Sequence, residues 1–165
     1  MNETILSEFG RSFSAVPAPV ALLRLVAAMG LAGLIGAERE WRRQPAGLRT
    51  HILVSVAACL FVILGRELAA LDFGGSGEQR NDPLRMIEAV TAGVAFLAAG
   101  IIFKSGGEVK NITTGASLWL AGAIGLGCGA GQMPLAAMAT AIVLVVLVVL
   151  RALETRVWPR DKHHD

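Results

Sequence analysis

Charged residues are scarce in this sequence, and its longest apolar stretches contain none. Asp, Glu, Lys and Arg make up only 17% of the 165 residues, whereas 54% are hydrophobic. No charge occurs across the 21 positions 112–132 or the 18 positions 133–150. Both runs reach the roughly 20-residue length that crosses the hydrocarbon core of a bilayer. This scarcity excludes an ordinary soluble domain and predicts an integral membrane protein.

Cysteine and leader signals are also sparse. The two cysteines, Cys59 and Cys128, fall inside apolar segments at depths that differ by roughly 7 Å from the rise per residue of a helix. This difference argues against a disulfide and predicts two small buried side chains. The start of the chain lacks the basic segment of a signal peptide, since Glu3 and Glu8 stand where positive charge is expected. We therefore expect residues 1–17 to form a short amphipathic arm.

Hydropathy along the chain predicts an all-α membrane protein, a compact bundle of about five transmembrane helices. The predicted helices are 18–37, 50–71, 84–103, 113–132 and 134–153, forming one transmembrane domain over 18–153 with a tail over 154–165. The uncharged part of the second helix, Ile52–Gly65, has only 14 residues, a length that also fits a re-entrant segment. We assign it as a span because Arg66 and Glu67 can extend to the interface while Leu68–Leu71 continues the helix.

Basic residues are divided unequally between the predicted loops. With the N-terminus outside, ten of the fifteen fall in inside segments: Arg39, Arg42, Arg43, Arg49, Lys104, Lys110, Arg151, Arg156, Arg160 and Lys162. Four fall in outside segments: Arg11, Arg66, Arg80 and Arg85. The remaining one, Arg24, lies within a span. This bias predicts the N-terminus outside and the C-terminus in the cytoplasm.

Three stretches near the predicted inner face form a pattern. They are Gly33–Glu40 with Pro45–His51, of the form G-x-x-G-x-E-R and A-G-L-R-T-H, then Thr91–Gly100, then Asn111–Trp119. In order and spacing they resemble the transmembrane domain of the MgtC/SapB family over about residues 20–150. Longer members carry a soluble C-terminal domain, and we expect this chain to be a short form without it.

The sequence departs from the family pattern at three positions. Ala95 and Ala98 stand where glycine is usual, and Gly115 stands where alanine is usual. Close packing between the third and fourth helices is therefore expected to differ from that of the family.

The resemblance implies a multi-pass protein of the bacterial inner membrane, linked to adaptation to low Mg²⁺ and, in pathogens, to intracellular survival and virulence. It implies a regulator that acts through membrane-protein partners, the ATP synthase being one proposed partner. A transporter or channel for Mg²⁺ or another small solute is the alternative, and a structural scaffold is a third. The central parts of the spans are almost entirely apolar or small, whereas a cation path needs acidic or amide groups there, so the regulator is favoured.

Six residues are expected to meet at the cytoplasmic face: Glu38, Arg39, Arg49, Thr50, Thr113 and Thr114. Two helices begin there, and their unpaired amides favour a hydroxyl or a carboxylate, for which Glu38 is the natural candidate. Helix capping is the favoured interpretation, and a polar pocket for a ligand or partner is the alternative. Glu38 between Arg39 and Arg49 is expected to stay ionised and paired, which makes it a poor general base. With no nucleophile or phosphate loop either, we predict neither enzymatic activity nor a cofactor.

Arg24 and Glu88 are the charges that fall inside spans, each about 6 Å from the outer boundary by helix rise. We predict that they pair, since intramembrane charges seek partners. The alternative is that each extends separately to the interface.

Glycine repeats at Gly30, Gly33 and Gly36, and again at Gly122, Gly125 and Gly129. Spacings of three and four let helix backbones approach closely, either inside one bundle, which is favoured, or in a homo-oligomer.

Acidic residues in the outer loop, Asp72, Glu78 and Asp82, suit Mg²⁺, but interspersed arginines favour a solvated loop. His163 and His164 are too few for a metal site. The predicted partners are therefore the bilayer and membrane proteins, with no metal and no nucleic acid.

Overall fold

The computed structural model describes residues 13–71 and 82–150, which are mainly helical. The helices are α1 (Ala18–Trp41), α2 (Leu48–Ala69), α3 (Pro83–Ile101), α4 (Ile112–Gly129) and α5 (Met133–Val145), and α5 continues as a π-helical turn, Val146–Leu150. A two-stranded hairpin, β1 (Phe103–Ser105) and β2 (Glu108–Lys110), joins α3 to α4. The first four helices are long and apolar enough to cross a membrane, and the fifth is a shorter apolar helix. The predicted helical bundle is thus confirmed. The predicted tail and most of the predicted arm lie outside the described residues.

Proline, glycine and polar caps set the helix boundaries. Pro83 occupies the first turn of α3, and the Asp82 side chain accepts a hydrogen bond from the Leu84 amide at 3.0 Å. Proline is tolerated there because the first helical amides have no partner within the helix. The link between α4 and α5 contains Gly131 at φ +85°, a conformation that glycine adopts without steric cost.

The hairpin before α4 was not predicted, because residue 103 was assigned to the third helix and residues 104–112 to a loop. Lys104 pairs with Val109 in an antiparallel register, and the turn is Gly106–Gly107 with both φ angles positive. Positive φ at both turn residues is characteristic of two-residue hairpin loops. Asn111 closes the base of the hairpin by donating from Nδ2 to the Ile101 carbonyl at 3.1 Å.

The centre of the bundle is formed by α1, α2 and α4, which pack extensively against one another. Glycine lets their backbones touch. A Cβ atom on Gly129 would lie 2.7 Å from the Cys59 carbonyl oxygen, and one on Gly36 would lie 2.8 Å from the Leu48 Cα. Gly125 meets the Ser55 backbone in the same way. The favoured prediction of glycine packing inside one bundle therefore matches what these residues do.

The other two helices lie at the periphery of this core. α3 packs on α4 through Val90, Val94 and Ala98. Two of the departures from the family pattern meet here, since a Cβ atom on Gly115 would lie 3.5 Å from the Cβ of Ala98. The methyl group of this pair is on α3 in this chain and on α4 in the family pattern.

Candidate functional site

Glu38 and Arg39 lie buried at the end of the bundle where α1 ends and α2 and α4 begin, which we call the motif end. Their side chains are only 7% and 4% exposed. The Arg39 Nε donates to Glu38 Oε2 at 2.6 Å, and the Arg42 Nε donates to Glu38 Oε1 at 3.2 Å. Because both carboxylate oxygens are engaged and desolvated, this cluster is a fixed part of the scaffold.

Two expectations for Glu38 were wrong. Its second cationic partner is Arg42, not Arg49, which is exposed. The carboxylate at the start of α2 belongs to Glu40, whose Oε2 accepts a hydrogen bond from the Leu48 amide at 2.8 Å. Glu38 faces the bundle interior and Glu40 faces the loop, because residues two apart on a helix point in nearly opposite directions.

A buried chain of hydrogen bonds connects α2 to α4 beside this cluster. The His51 Nδ1 lies 2.8 Å from the Gly47 carbonyl oxygen and its Nε2 lies 3.0 Å from the Ser117 hydroxyl. Since a carbonyl only accepts, the Nδ1 carries a proton. The Ser117 hydroxyl also lies 2.9 Å from the Thr114 carbonyl oxygen, and the Thr114 hydroxyl donates to Gln44 Oε1 at 3.2 Å. These bonds fix the register of α2, α4 and the α1–α2 loop.

The six predicted site residues divide into two groups. Glu38, Arg39 and Thr114 are buried in the scaffold, whereas Arg49 and Thr113 are exposed and Thr50 is half-buried. His51, Ser117, Gln44 and Glu40 were missed. His51 and Ser117 lie in the stretches that carry the family resemblance, and the i, i+4 spacing of Gly47 and His51 indicated that the imidazole could reach a carbonyl in the first turn of α2.

At the opposite end of the bundle Arg24 caps α4. Its Nη1 donates to the Gly129 carbonyl oxygen at 2.8 Å, where the negative end of the helix dipole attracts a cation. Glu88 is exposed on α3, and the described residues contain no ion pair between it and Arg24. The predicted Arg24–Glu88 pair was therefore wrong: the α4 C-terminus is the partner of Arg24.

Glu67, expected to extend to the interface, instead binds the segment before α1. Its carboxylate accepts from the Ser14 hydroxyl at 3.0 Å and from the backbone amides of Ala15 and Val16, the latter at 2.7 Å. Val16 is buried in the core. This carboxylate thus anchors the last part of the predicted arm to α2.

No group of three or more potential metal ligands occurs within residues 13–71 and 82–150. Asp82 caps α3, while Asp72, Glu78, His163 and His164 lie outside the described residues. Cys59 and Cys128 are both buried free thiols.

The surface around the motif end is basic and aromatic. Trp41 is 80% exposed, and its ring lies under the Arg42 guanidinium at 5.3 Å. Arg43, Arg49 and the hairpin residues are also exposed. Chemically, this surface can contact anionic groups or a protein partner, while the buried polar groups beneath it are already paired.

Comparison with known proteins places these features in a family. The profile of the MgtC family matches residues 25–156. Among curated relatives, Protein MgtC of Salmonella typhimurium (strain LT2) is 38% identical over 136 residues, covering 82% of this chain and 54% of the relative. Protein MgtC of Brucella abortus (strain 2308) is 43% identical over 129 residues, covering 78% of this chain and 50% of the relative.

The chain spans about half the length of the curated relatives it matches. No solved structure matches it. The family profile covers most of the sequence, including the glutamate, arginine and histidine of the motif end. With its helices of spanning length, this makes it a multi-pass membrane protein. The chain belongs to the MgtC family.

Proposed function

We propose that this chain is a regulatory protein of the bacterial inner membrane, with its N-terminus outside, that supports adaptation to low Mg²⁺ and intracellular survival. It acts by binding other membrane proteins through the exposed surface of the motif end. The relatives named Protein MgtC support the family context. The hydrogen bonds and ion pairs that the polar side chains make in the structure support binding to a protein partner over transport of a solute.

The interior of the bundle carries this proposal, because it offers no polar path in the part of the chain that the structure describes. Between the layer of Arg24 and the layer of Glu38, the helices α1, α2 and α4 meet through glycine and backbone contacts. The hydroxyls of Ser55 and Ser117, which are buried among them, are both paired: Ser55 donates to the Ala28 carbonyl at 3.1 Å, and Ser117 lies within hydrogen-bond distance of the His51 Nε2 and the Thr114 carbonyl oxygen. An ion path needs oxygen ligands or water-lined space across the region between Arg24 and Glu38.

The motif end supplies the complementary observation. Glu40 accepts from the Leu48 amide and Gln44 accepts from the Thr114 hydroxyl, and these bonds hold the α1–α2 loop against α2 and α4. The motif end so presents Trp41, Arg43, Arg49 and Thr113 at the surface. Aromatic and arginine side chains on a rigid support are the residue types that contribute most to protein interfaces. The predicted loops and tail on this side of the membrane carry most of the basic residues, so this end faces the cytoplasm.

Two measurements test the proposal. Purified protein in liposomes that enclose a Mg²⁺-sensitive dye should give no more Mg²⁺ influx than empty liposomes. Influx that depends on folded, inserted protein would contradict the regulatory function and support the transporter.

Photocrosslinking in bacterial membranes tests the binding surface. A photoreactive residue at Arg49 or Thr113 should capture a membrane protein, with the ATP synthase as the first candidate to probe. The matched control is Leu23, which is exposed at the other end of α1. Equal capture at both ends would contradict a partner surface at the motif end.

A further inference from the structure

One side of α3 faces away from the rest of the protein. Its buried residues, Val90, Val94 and Ala98, recur every four positions and face α4. Successive helical residues are rotated by about 100° about the helix axis. Six exposed residues therefore fall on the side of α3 opposite to its buried residues. We call this set the outer face of α3: Arg85, Glu88, Ala89, Ala92, Phe96 and Ala99.

Two opposite charges lie on this face. Glu88 is the sixth residue of α3, which places it about 7.5 Å along the helix from its first residue. Arg85 lies three residues earlier, on the same side. Neither takes part in an ion pair within residues 13–71 and 82–150. Glu88 lies inside the span, and Arg85 lies one turn nearer its outer boundary. A charged group inside a span normally faces protein or water and pairs with another charge, so Glu88 on an outward side indicates a further protein contact.

The rest of the outer face differs from the lipid-facing sides of the other helices. The exposed residues of α5 are mostly large, as are those of α1: Leu135, Met138, Ile142 and Val145 on α5, and Leu22, Leu23, Val26 and Met29 on α1. On the outer face of α3 the single large apolar side chain is Phe96, which is 80% exposed, and alanine fills three other positions. A Cβ atom on the flanking Gly93 or Gly100 would meet nothing within 4 Å. Small residues on an outward side permit the close approach of another helix.

We propose that the outer face of α3 binds a second copy of this chain through the same face. A two-fold axis parallel to the helices brings identical surfaces together, so each residue meets a residue near its own level. Arg85 and Glu88 differ in level by about 4.5 Å, and a two-fold arrangement lets each Glu88 approach the partner's Arg85. The charges are therefore complementary between two copies of one sequence. The Phe96 ring of each copy packs against the small residues of the other, between Ala92 and Ala99.

Disulfide crosslinking in native membranes tests this pairing. Ala92→Cys and Ala141→Cys are made separately in a chain that lacks Cys59 and Cys128, and each is oxidised under mild conditions. Ala141 is the matched control, because it is an exposed alanine near the middle of the peripheral helix α5. Ala92→Cys should give a disulfide-linked dimer and Ala141→Cys only background. Equal crosslinking at both positions, no crosslinking at Ala92, or a product with one copy of this chain and a different protein would overturn the proposal.

Charge exchange tests the ionic part in the same membranes. Glu88→Arg should reduce the dimer formed by Ala92→Cys, because it places arginines against one another, and adding Arg85→Glu should restore it. Recovery in the double variant shows that the single variant was folded, and failure to recover would overturn the predicted cross-pairs. Since these measurements report association and not Mg²⁺ flux, their outcome is separate from that of the proposed function.

Discussion

Replacing the glycines of α1 with alanine, one at a time, tests how closely that helix approaches α2. The three glycines of the first repeat have different surroundings. A Cβ atom on Gly30 would meet nothing within 4 Å, one on Gly33 would lie 3.5 Å from the end of the Ile52 side chain, and one on Gly36 would lie 2.8 Å from the Leu48 Cα. Gly36 is therefore the position where the added methyl group meets backbone.

The expected order follows from these distances. Alanine gains about 1 kcal/mol of helix propensity over glycine at any of the three sites, so differences between the variants report packing. At Gly33 the methyl group makes an ordinary contact. At Gly36 it needs a gap of about 3.4 Å or more, as for any carbon pair in contact, so the helices must separate by roughly 0.6 Å. Overpacking of this kind costs about 1–3 kcal/mol.

Thermal unfolding in a mild detergent measures the effect. Gly30→Ala and Gly33→Ala should unfold at or above the temperature of the parent protein, and Gly36→Ala should unfold several degrees below Gly30→Ala. The shift at Gly36 should also disturb the nearby His51, whose Cβ lies 3.0 Å from the added atom. If Gly36→Ala is as stable as Gly30→Ala, the close backbone contact described for α1 and α2 is wrong.

Three further substitutions test individual contacts. Glu67→Gln should speed hydrogen exchange at the backbone amides that the carboxylate now binds, without changing exchange in the middle of α2; unchanged exchange would contradict the anchor. Gly131→Ala should destabilise the protein by about 1–2 kcal/mol, because an L-residue is strained at φ +85°, and the new methyl group would lie 2.9 Å from the Arg24 Nη2. Ala130→Gly is the control. Equal effects of the two substitutions would argue against the Arg24 cap on α4. Ser117→Ala should cost about 1–3 kcal/mol, because it leaves the His51 Nε2 without its hydroxyl partner, whereas Ser117→Thr should keep much of that stability; equal losses would contradict the buried chain.

The helices themselves were predictable from the sequence because long uncharged runs have few alternatives to a membrane helix. The observed bounds stay close to the predicted ones, with α1 extending to Trp41 and α2 beginning at Leu48. The hairpin was harder to predict, since its strands have three residues each. Gly106–Gly107 was the available signal, as two adjacent glycines favour a tight turn.

The pairing of polar groups was less predictable than the helices. A charge count places Glu38, Arg49 and the threonines at one end of the bundle. It does not show which of Glu38 and Glu40 faces the bundle interior, because that depends on the rotation of α1 about its axis. Arg24 was expected to seek a carboxylate, and the structure provides a backbone carbonyl at a helix end. Partners of that kind carry no sequence signature, because every residue has a carbonyl.

The position of α4 between earlier helices has a consequence for the order of assembly. α4 packs against α1 and α2, whereas α3, which is made before it, makes few contacts with α2. When α3 has entered the membrane, the backbone of α2 around Ser55 and Cys59 still lacks the glycines that cover it in the finished protein. The hydrophobic core therefore closes only after the fourth helix is inserted, and a chain interrupted before that point has an α1–α2 pair with an open side.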